Sequence, residues 1–131
     1  MAWDRKAILL DTSVLIDLLH GRKEPAALIR DLILSGSVLA TSSVNIAELY
    51  AGMRKGEEAA TEALISGLEC LPLTPEIAKK AGNITAARRR LGKTHSLDDM
   101  MIAATVIEYG YTLLTDNRKD FEIPDIELFP A

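Results

Sequence analysis

The chain has 131 residues, 48% of them hydrophobic, with only 8 glycines and 5 prolines, which excludes a disordered or fibrous chain and points to one globular domain spanning residues 1–131. Its longest apolar runs, such as Ala7 to Leu10, are four or five residues, far short of the roughly 20 that a membrane-spanning helix needs, and Met1 to Lys6 opens no secretion signal, so a cytoplasmic protein is expected. The net charge of −4, from 19 acids against 15 bases, weighs against a nucleic-acid partner, because phosphate binding is mostly electrostatic.

Short apolar runs alternate with helical patterns. Ala7 to Leu10 reads as a strand, followed by a helix over Thr12 to Leu19 that stops at Gly21 and another from Pro25 to Leu34 that stops at Gly36. Val38 to Thr41 is the second strand, and Val44 to Met53 with Glu57 to Leu68 are a pair of helices. Cys70 to Leu73 is the third strand. Cys70, the single cysteine, permits no internal disulfide and no Cys-built zinc site, and among Leu68, Leu71 and Leu73 it reads as a small buried hydrophobe. Thr74 ahead of Pro75 supplies an N-cap and a first-position proline for a helix reaching about Leu91, with Ile77, Ala81, Ile84 and Leu91 as its buried stripe. Ser96 caps a helix to about Tyr109 that Gly110 closes, and strands at Thr112 to Thr115 and Ile126 to Phe129 complete the pattern. Strands separated by helices pair in parallel through right-handed crossovers. The expected fold is therefore a three-layer α/β/α domain around a central parallel sheet of about five strands.

In open α/β sheets ligands bind beyond the carboxyl ends of the strands. Asp11 directly follows the first strand, Glu48 lies in the opening turns of the helix after the second, Asp98 and Asp99 open the helix that begins at Ser96, and Asp116 follows the fourth strand. Four separate segments thus bring carboxylates to one rim. Such a cluster repels itself, and a divalent cation relieves it. Oxygen ligands without His or Cys suit Mg²⁺ or Mn²⁺, and the chemistry that follows is metal-assisted hydrolysis of a phosphodiester. Simple structural roles exist for some of these acids: Asn45 to Glu48 and Ser96 to Asp99 both have the spacing of a capping box, and Asp116 has turn chemistry. Asp11, closing a hydrophobic strand at the centre of the sheet, has no such local role.

Ile8-Leu9-Leu10-Asp11-Thr12-Ser13-Val14-Leu15-Ile16, Asn45-Ile46-Ala47-Glu48-Leu49, Asp99-Met100-Met101-Ile102-Ala103-Ala104-Thr105 and Leu114-Thr115-Asp116-Asn117-Arg118-Lys119-Asp120-Phe121 resemble, in order and spacing, the motifs of PIN-domain ribonucleases, and most closely the VapC-type toxins of toxin–antitoxin pairs. The resemblance spans nearly the whole chain. It implies a Mg²⁺- or Mn²⁺-dependent endoribonuclease in which Asp11, Glu48, Asp99 and Asp116 are the catalytic acids and Asp11 and Asp99 bind metal. It also implies that Thr12 helps hold Asp11, that Asn117 is the alternate to Asp116, that Asp98 is the alternate to Asp99, and that a homodimer and a VapB-like antitoxin are partners. Asp99 shares a helical face with Ile102, Ala103 and Val106 and so points inward more directly than Asp98.

The distribution of charge then changes the meaning of the −4. Between Lys79 and Lys93 lie six bases and no acid, while Ser96 to Ala131 holds eight acids against Arg118 and Lys119. Arg88, Arg89, Arg90 and Lys93 form the expected RNA-binding surface, with Lys80 also directed outward, although bases at a helix end are favoured by the helix dipole without any ligand. The aromatics Trp3, Tyr50, Tyr109, Tyr111, Phe121 and Phe129 are too scattered for a stacking platform, which favours a structured RNA such as tRNA or a ribosomal RNA loop. His95 could touch phosphate, and His20 reads as structural. Two other readings remain: a receiver-like phosphoacceptor domain, which requires an acid ending the third strand where Cys70-Leu-Pro-Leu-Thr74 has none, and a PIN domain that binds RNA or protein without cleaving.

Overall fold

A sheet covered on both faces calls for apolar side chains on both sides of its strands, and Ala7–Leu10 has them throughout. The computed structural model describes residues 6–130, so Trp3 lies outside the described residues. Along the chain run β1 (Ala7–Leu10), α1 (Thr12–Leu19), α2 (Lys23–Leu34), β2 (Val38–Ser42), α3 (Ser43–Ala51), α4 (Glu58–Ser66), β3 (Glu69–Leu71), α5 (Pro75–Arg90), α6 (Leu97–Tyr109), β4 (Thr112–Leu114), a 3₁₀ turn (Arg118–Phe121) and β5 (Leu128–Phe129). The five strands pair in parallel in the order β3-β2-β1-β4-β5. The chain builds outward from β1 on one side through β2 and β3, then returns to its other side for β4 and β5. The gap between the ends of β1 and β4 is therefore the switch point where this architecture places ligands.

Alternation along each strand sends successive side chains into two separate cores. Leu9, Ala40 and Leu113 pack with α5 and α6 through Ile77, Ala81, Met100, Ile102, Ala103 and Val106. Ile8, Leu10 and Leu114 face the opposite way, against Val14 and Leu15 of α1, Leu32 of α2 and Leu49 of α3. The expected three-layer arrangement is thus present, with helices covering both faces of the sheet.

Helix starts follow local chemistry. The side chains of Ser42, Thr74 and Ser96 accept the backbone N–H groups of Asn45, Ile77 and Asp99 at 3.1, 3.2 and 3.3 Å. Gly110 closes α6 with a φ of 70°, a left-handed conformation that a side chain would oppose. Three sequence expectations are corrected here. Ser42, not Asn45, caps α3, so the spacing of Asn45 to Glu48 is no capping box. Cys70 is exposed, because β3 is an edge strand and only Leu71 of its three residues turns into the core. Leu91 is 69% exposed, because α5 ends at Arg90 and the chain turns away before Leu91 can join the stripe.

Leu9 is fully buried on the central strand between helices of one layer and the sheet. Leu9→Ala is expected to lower stability by about 2–5 kcal/mol through lost transfer energy and a residual cavity, read as a shift of the urea midpoint at constant slope.

Candidate active site

Asp11 leaves the end of β1 and occupies the N-cap position of α1, yet its side chain makes no capping bond. The carboxylate turns instead into the switch point, where the residue is only 4% exposed. An anion removed from water needs replacement donors. Thr115, at the end of β4, donates its hydroxyl to Asp11 Oδ2 at 2.6 Å, and Asn45 of α3 donates Nδ2 to Asp11 Oδ1 at 3.0 Å. The Asp11 backbone N–H is bonded to the Leu114 carbonyl at 3.0 Å, which locks the residue to the β4 end. Burial pushes the Asp11 carboxyl above its ordinary range, and the bonds from Thr115, the Thr12 backbone, Asn45 and Ser13 pull it back down.

The second acid is held through Thr12. Its hydroxyl donates to Glu48 Oε1 at 2.6 Å and accepts Asn45 Nδ2 at 3.0 Å. The Thr12 side chain thus holds Glu48, while its backbone N–H bonds Asp11. Glu48 and Asp98 meet carboxyl to carboxyl. Burial first, and then the bond to Asp98, push Glu48 up to about 7, while the same bond holds Asp98 below its usual value. The contact therefore favours a proton on Glu48 beside an ionised Asp98, and that proton is lost as pH rises through about 7. Asp99 stands half-buried at the start of α6, raised by burial and then by the charges of Asp98, Asp120 and Asp11.

The structure thus brings Asp11, Glu48, Asp98 and Asp99 together. It treats Asp116 differently. Asp116 lies at the same edge, but its carboxyl meets Asp17 of α1, a contact that with partial burial pushes it up to about 6, while Arg22 bonds Asp17 at 3.1 Å. Ser13 Oγ accepts the Asp116 backbone N–H at 3.1 Å, and Thr115 Oγ1 accepts that of Asn117 at 3.0 Å. Sequence spacing singles out none of Thr115, Ser13 and Asp17, and it gives Asn45 only a capping role. Thr115 was signalled by its place beside Asp116, and Asn45 by the presence of a poor helix former within a helix.

Among the described residues no Lys, Arg or His forms an ion pair with Asp11, Glu48, Asp98 or Asp99; the pairs formed are His20–Glu57, Arg22–Asp17 and Lys80–Glu108. No group of three or more Asp, Glu, His or Cys among those residues is arranged to enclose an ion by itself. The donor set still fits Mg²⁺ or Mn²⁺, because such ions keep several waters and take one or two carboxylates from the protein. Asp11 suits this role, because every group bonded to its carboxylate is a neutral donor and none cancels its charge.

The basic segment is only partly free. Arg88 donates Nε to His95 Nε2 at 3.2 Å and a guanidinium N–H to the Glu122 carbonyl at 2.9 Å, tying the end of α5 to the chain beyond the 3₁₀ turn. Lys80 is partly exposed and paired with Glu108 at 3.5 Å. Arg89, Arg90 and Lys93 are exposed. The Lys80–Glu108 pair joins early α5 to late α6, so the two helices run in opposite directions and the basic end of α5 is returned to the Asp98–Asp99 end of α6. Tyr50 and Tyr111 bond Glu62 and Glu69, Tyr109 meets Tyr111 edge to face with ring centroids 6.4 Å apart, and Phe121 and Phe129 are buried.

Metal-free protein carries a testable consequence of the raised acids. Glu48 and Asp116 hold their protons more tightly when folded, so their contribution to stability is complete below their ordinary values of 4.5 and 3.8 and is lost as pH rises through about 7 and about 6. Asp98 titrates below this window and does not offset it. The melting temperature in chelator is expected to fall between about pH 5 and about pH 8 and to recover at the higher pH with millimolar Mg²⁺; a rise across this range would contradict the assignment.

Comparison with known proteins identifies the family. The PIN domain family model matches residues 8–126. Ribonuclease VapC19 of Mycobacterium tuberculosis is 37% identical over 122 residues, 91% of this chain and 96% of that protein. The tRNA(fMet)-specific endonuclease VapC of Shigella flexneri is 28% identical over 119 residues, 87% of this chain and 89% of that one. A chain of the DNA-bound VapBC structure from Salmonella typhimurium superposes with a TM-score of 0.81 at 29% identity, covering 94% of this chain and 96% of that chain. These matches leave no place for the receiver-like alternative, and β3 ends at Leu71 without an acid. The chain belongs to the VapC branch of the PIN-domain family.

Proposed function

We propose that the protein is a Mg²⁺- or Mn²⁺-dependent endoribonuclease, the toxin of a VapBC pair, acting in the cytoplasm as a homodimer restrained by a VapB-type antitoxin. The observation that carries this reading is the Asp11 carboxylate, buried at the switch point and held by neutral donors alone beside Asp99. A site that supplies negative charge and no base is built to receive a cation. When bound, a divalent ion supplies positive charge to the scissile phosphate and a more acidic water for attack.

The chain's own residues do the rest. Asp11 and Asp99 would hold the cation, with Asn117 as the alternate to Asp116. Glu48, pushed up to about 7 by burial and by Asp98, can take up or release a proton beside the phosphate. Asp116 has a lesser part, because Asp17 already engages it. Arg89, Arg90 and Lys93 bind backbone phosphates of the RNA next to the acids, and Arg88 keeps that end of α5 in place. A site without a stacking platform reads backbone and shape, which supports a structured RNA, and the name of the Shigella flexneri relative points to tRNA as the first substrate to try.

Purified protein is expected to cut tRNA with Mn²⁺ or Mg²⁺ and to stop in EDTA. Asp11→Asn and Asp99→Asn each lower kcat/KM by about 10³-fold or more with folding retained, and Asp116→Asn by about 10-fold or less. Arg89→Ala with Arg90→Ala mainly raises KM, increasingly so with salt. Full activity in both Asp11→Asn and Asp99→Asn would overturn the metal-dependent nuclease, and binding without cleavage by the intact protein would favour a non-cleaving PIN domain.

A further inference from the structure

A buried amide inside a helix is costly unless each of its polar atoms is used, and Asn is a poor helix former. Asn45 is 0% exposed in the first turns of α3. It is not needed to cap the helix, since Ser42 does that. Its side chain instead joins three segments. Oδ1 accepts the Ser42 hydroxyl at 2.6 Å, and Nδ2 donates to Asp11 Oδ1 and to Thr12 Oγ1, each at 3.0 Å.

The direction of this network is determined by chemistry. An amide nitrogen can only donate and an ionised carboxylate can only accept, so Nδ2 must face Asp11 and Oδ1 must face Ser42. Thr12 Oγ1 then accepts from Asn45, and its own proton is left for Glu48 Oε1 at 2.6 Å. One uncharged side chain therefore orients Asp11 directly and Glu48 through Thr12. A Lys or Arg in the same place would neutralise the acids and compete with the cation. An Asp would repel Asp11 and draw the Thr12 hydroxyl away from Glu48.

We infer that Asn45 is a positioning residue, which through its single amide sets the two acids Asp11 and Glu48 in a common geometry for the cation and for RNA cleavage. The inference rests on the metal-dependent ribonuclease reading and extends it to a residue outside the acid set.

The test compares wild type, Asn45→Leu, the near-isosteric Asn45→Asp, Thr12→Val and the Asn45→Leu/Thr12→Val double variant. The readouts are Mn²⁺ affinity by calorimetric titration, kcat and KM on tRNA, and melting temperature. Asn45→Leu is expected to weaken Mn²⁺ binding about 10-fold and lower kcat by about 10–100-fold, with KM changed less than about twofold. Asn45→Asp adds a negative charge, so if charge alone mattered it would bind Mn²⁺ more tightly and keep its kcat; positioning predicts that kcat falls in this variant too. Thr12→Val added to Asn45→Leu should cost much less than the product of the two single effects, because both cut the same path to Glu48. Wild-type Mn²⁺ affinity and kcat in the folded Asn45→Leu variant, or multiplicative losses in the double variant, would overturn the inference. Should Asn45→Leu fail to fold, a wild-type kcat in Asn45→Asp overturns it alone. Intact protein that binds Mn²⁺ but cleaves no RNA would remove the nuclease reading and leave the Mn²⁺ affinities to decide the role of Asn45; intact protein that binds no Mn²⁺ would remove both.

Discussion

A carboxylate can be kept from water only if something else meets its charge, and this requirement governs the molecule at Asp11. The residue must sit there because β1 is the central strand and the chain reverses its order of addition beside it, so β1 and β4 end side by side with nothing crossing between them. The elements around the gap supply a hydroxyl from β4, an amide from α3 and backbone groups from α1. All of these are neutral. They lower the cost of burying the charge without cancelling it, and so preserve the attraction for an external cation that an internal Lys or Arg would remove.

The other acids follow from the same economy of charge. Asp98 and Asp99 occupy the first turn of α6, where the helix dipole favours anions, and Ser96 caps the turn. Their negative charge is thus tolerable locally even though it crowds Asp11 and Glu48. Where two carboxyls still meet, one of them is pushed above its usual range, as Glu48 is beside Asp98 and Asp116 is beside Asp17. The two pairs differ in consequence: the first lies inside the cluster at the switch point, whereas the second draws Asp116 toward α1 and Arg22. Acids equally legible as a rim in the sequence are therefore unequal in space.

The difference between what the sequence showed and what it hid is one of range. β1 and α1 were readable to the residue because a run of apolar residues stops at Asp11 and a helical pattern begins at once; the boundaries of α6 were readable from Ser96 and Gly110. Such signals are local. β5 shrank to Leu128–Phe129 because strand length depends on how much of a neighbour is available to pair, and β4 is itself only three residues. Ser42, Ser43 and Asn45 are all plausible caps for α3, and only the backbone geometry at Ser42 decides among them. The partnerships of Asn45 with Asp11, Asp116 with Asp17 and Arg88 with the Glu122 carbonyl connect segments far apart along the chain, and no spacing rule contains them. Cys70 and Leu91 were misread for a related reason, since an apolar neighbourhood in sequence does not say which side of an edge strand or helix end will be covered.

An acidic chain proposed to act on a polyanion presents an apparent conflict, and the arrangement of its charges resolves it. The surplus acids are concentrated where the folded structure gains least from them, at a switch point held open by neutral donors, while the exposed bases Arg89, Arg90 and Lys93 stand at the adjoining helix end. Without a cation the acids repel both one another and an approaching phosphate. With one, the repulsion that weakened the folded protein becomes binding energy for the ion, and the same ion turns the site from a barrier to phosphate into part of its binding surface. On the proposed reading, folding, metal binding and recognition of RNA would be coupled through one set of carboxylates. For that coupling to work, the groups that hold the acids must carry no positive charge of their own, and Asn45, Thr12 and Thr115 meet that requirement with amide and hydroxyl donors alone.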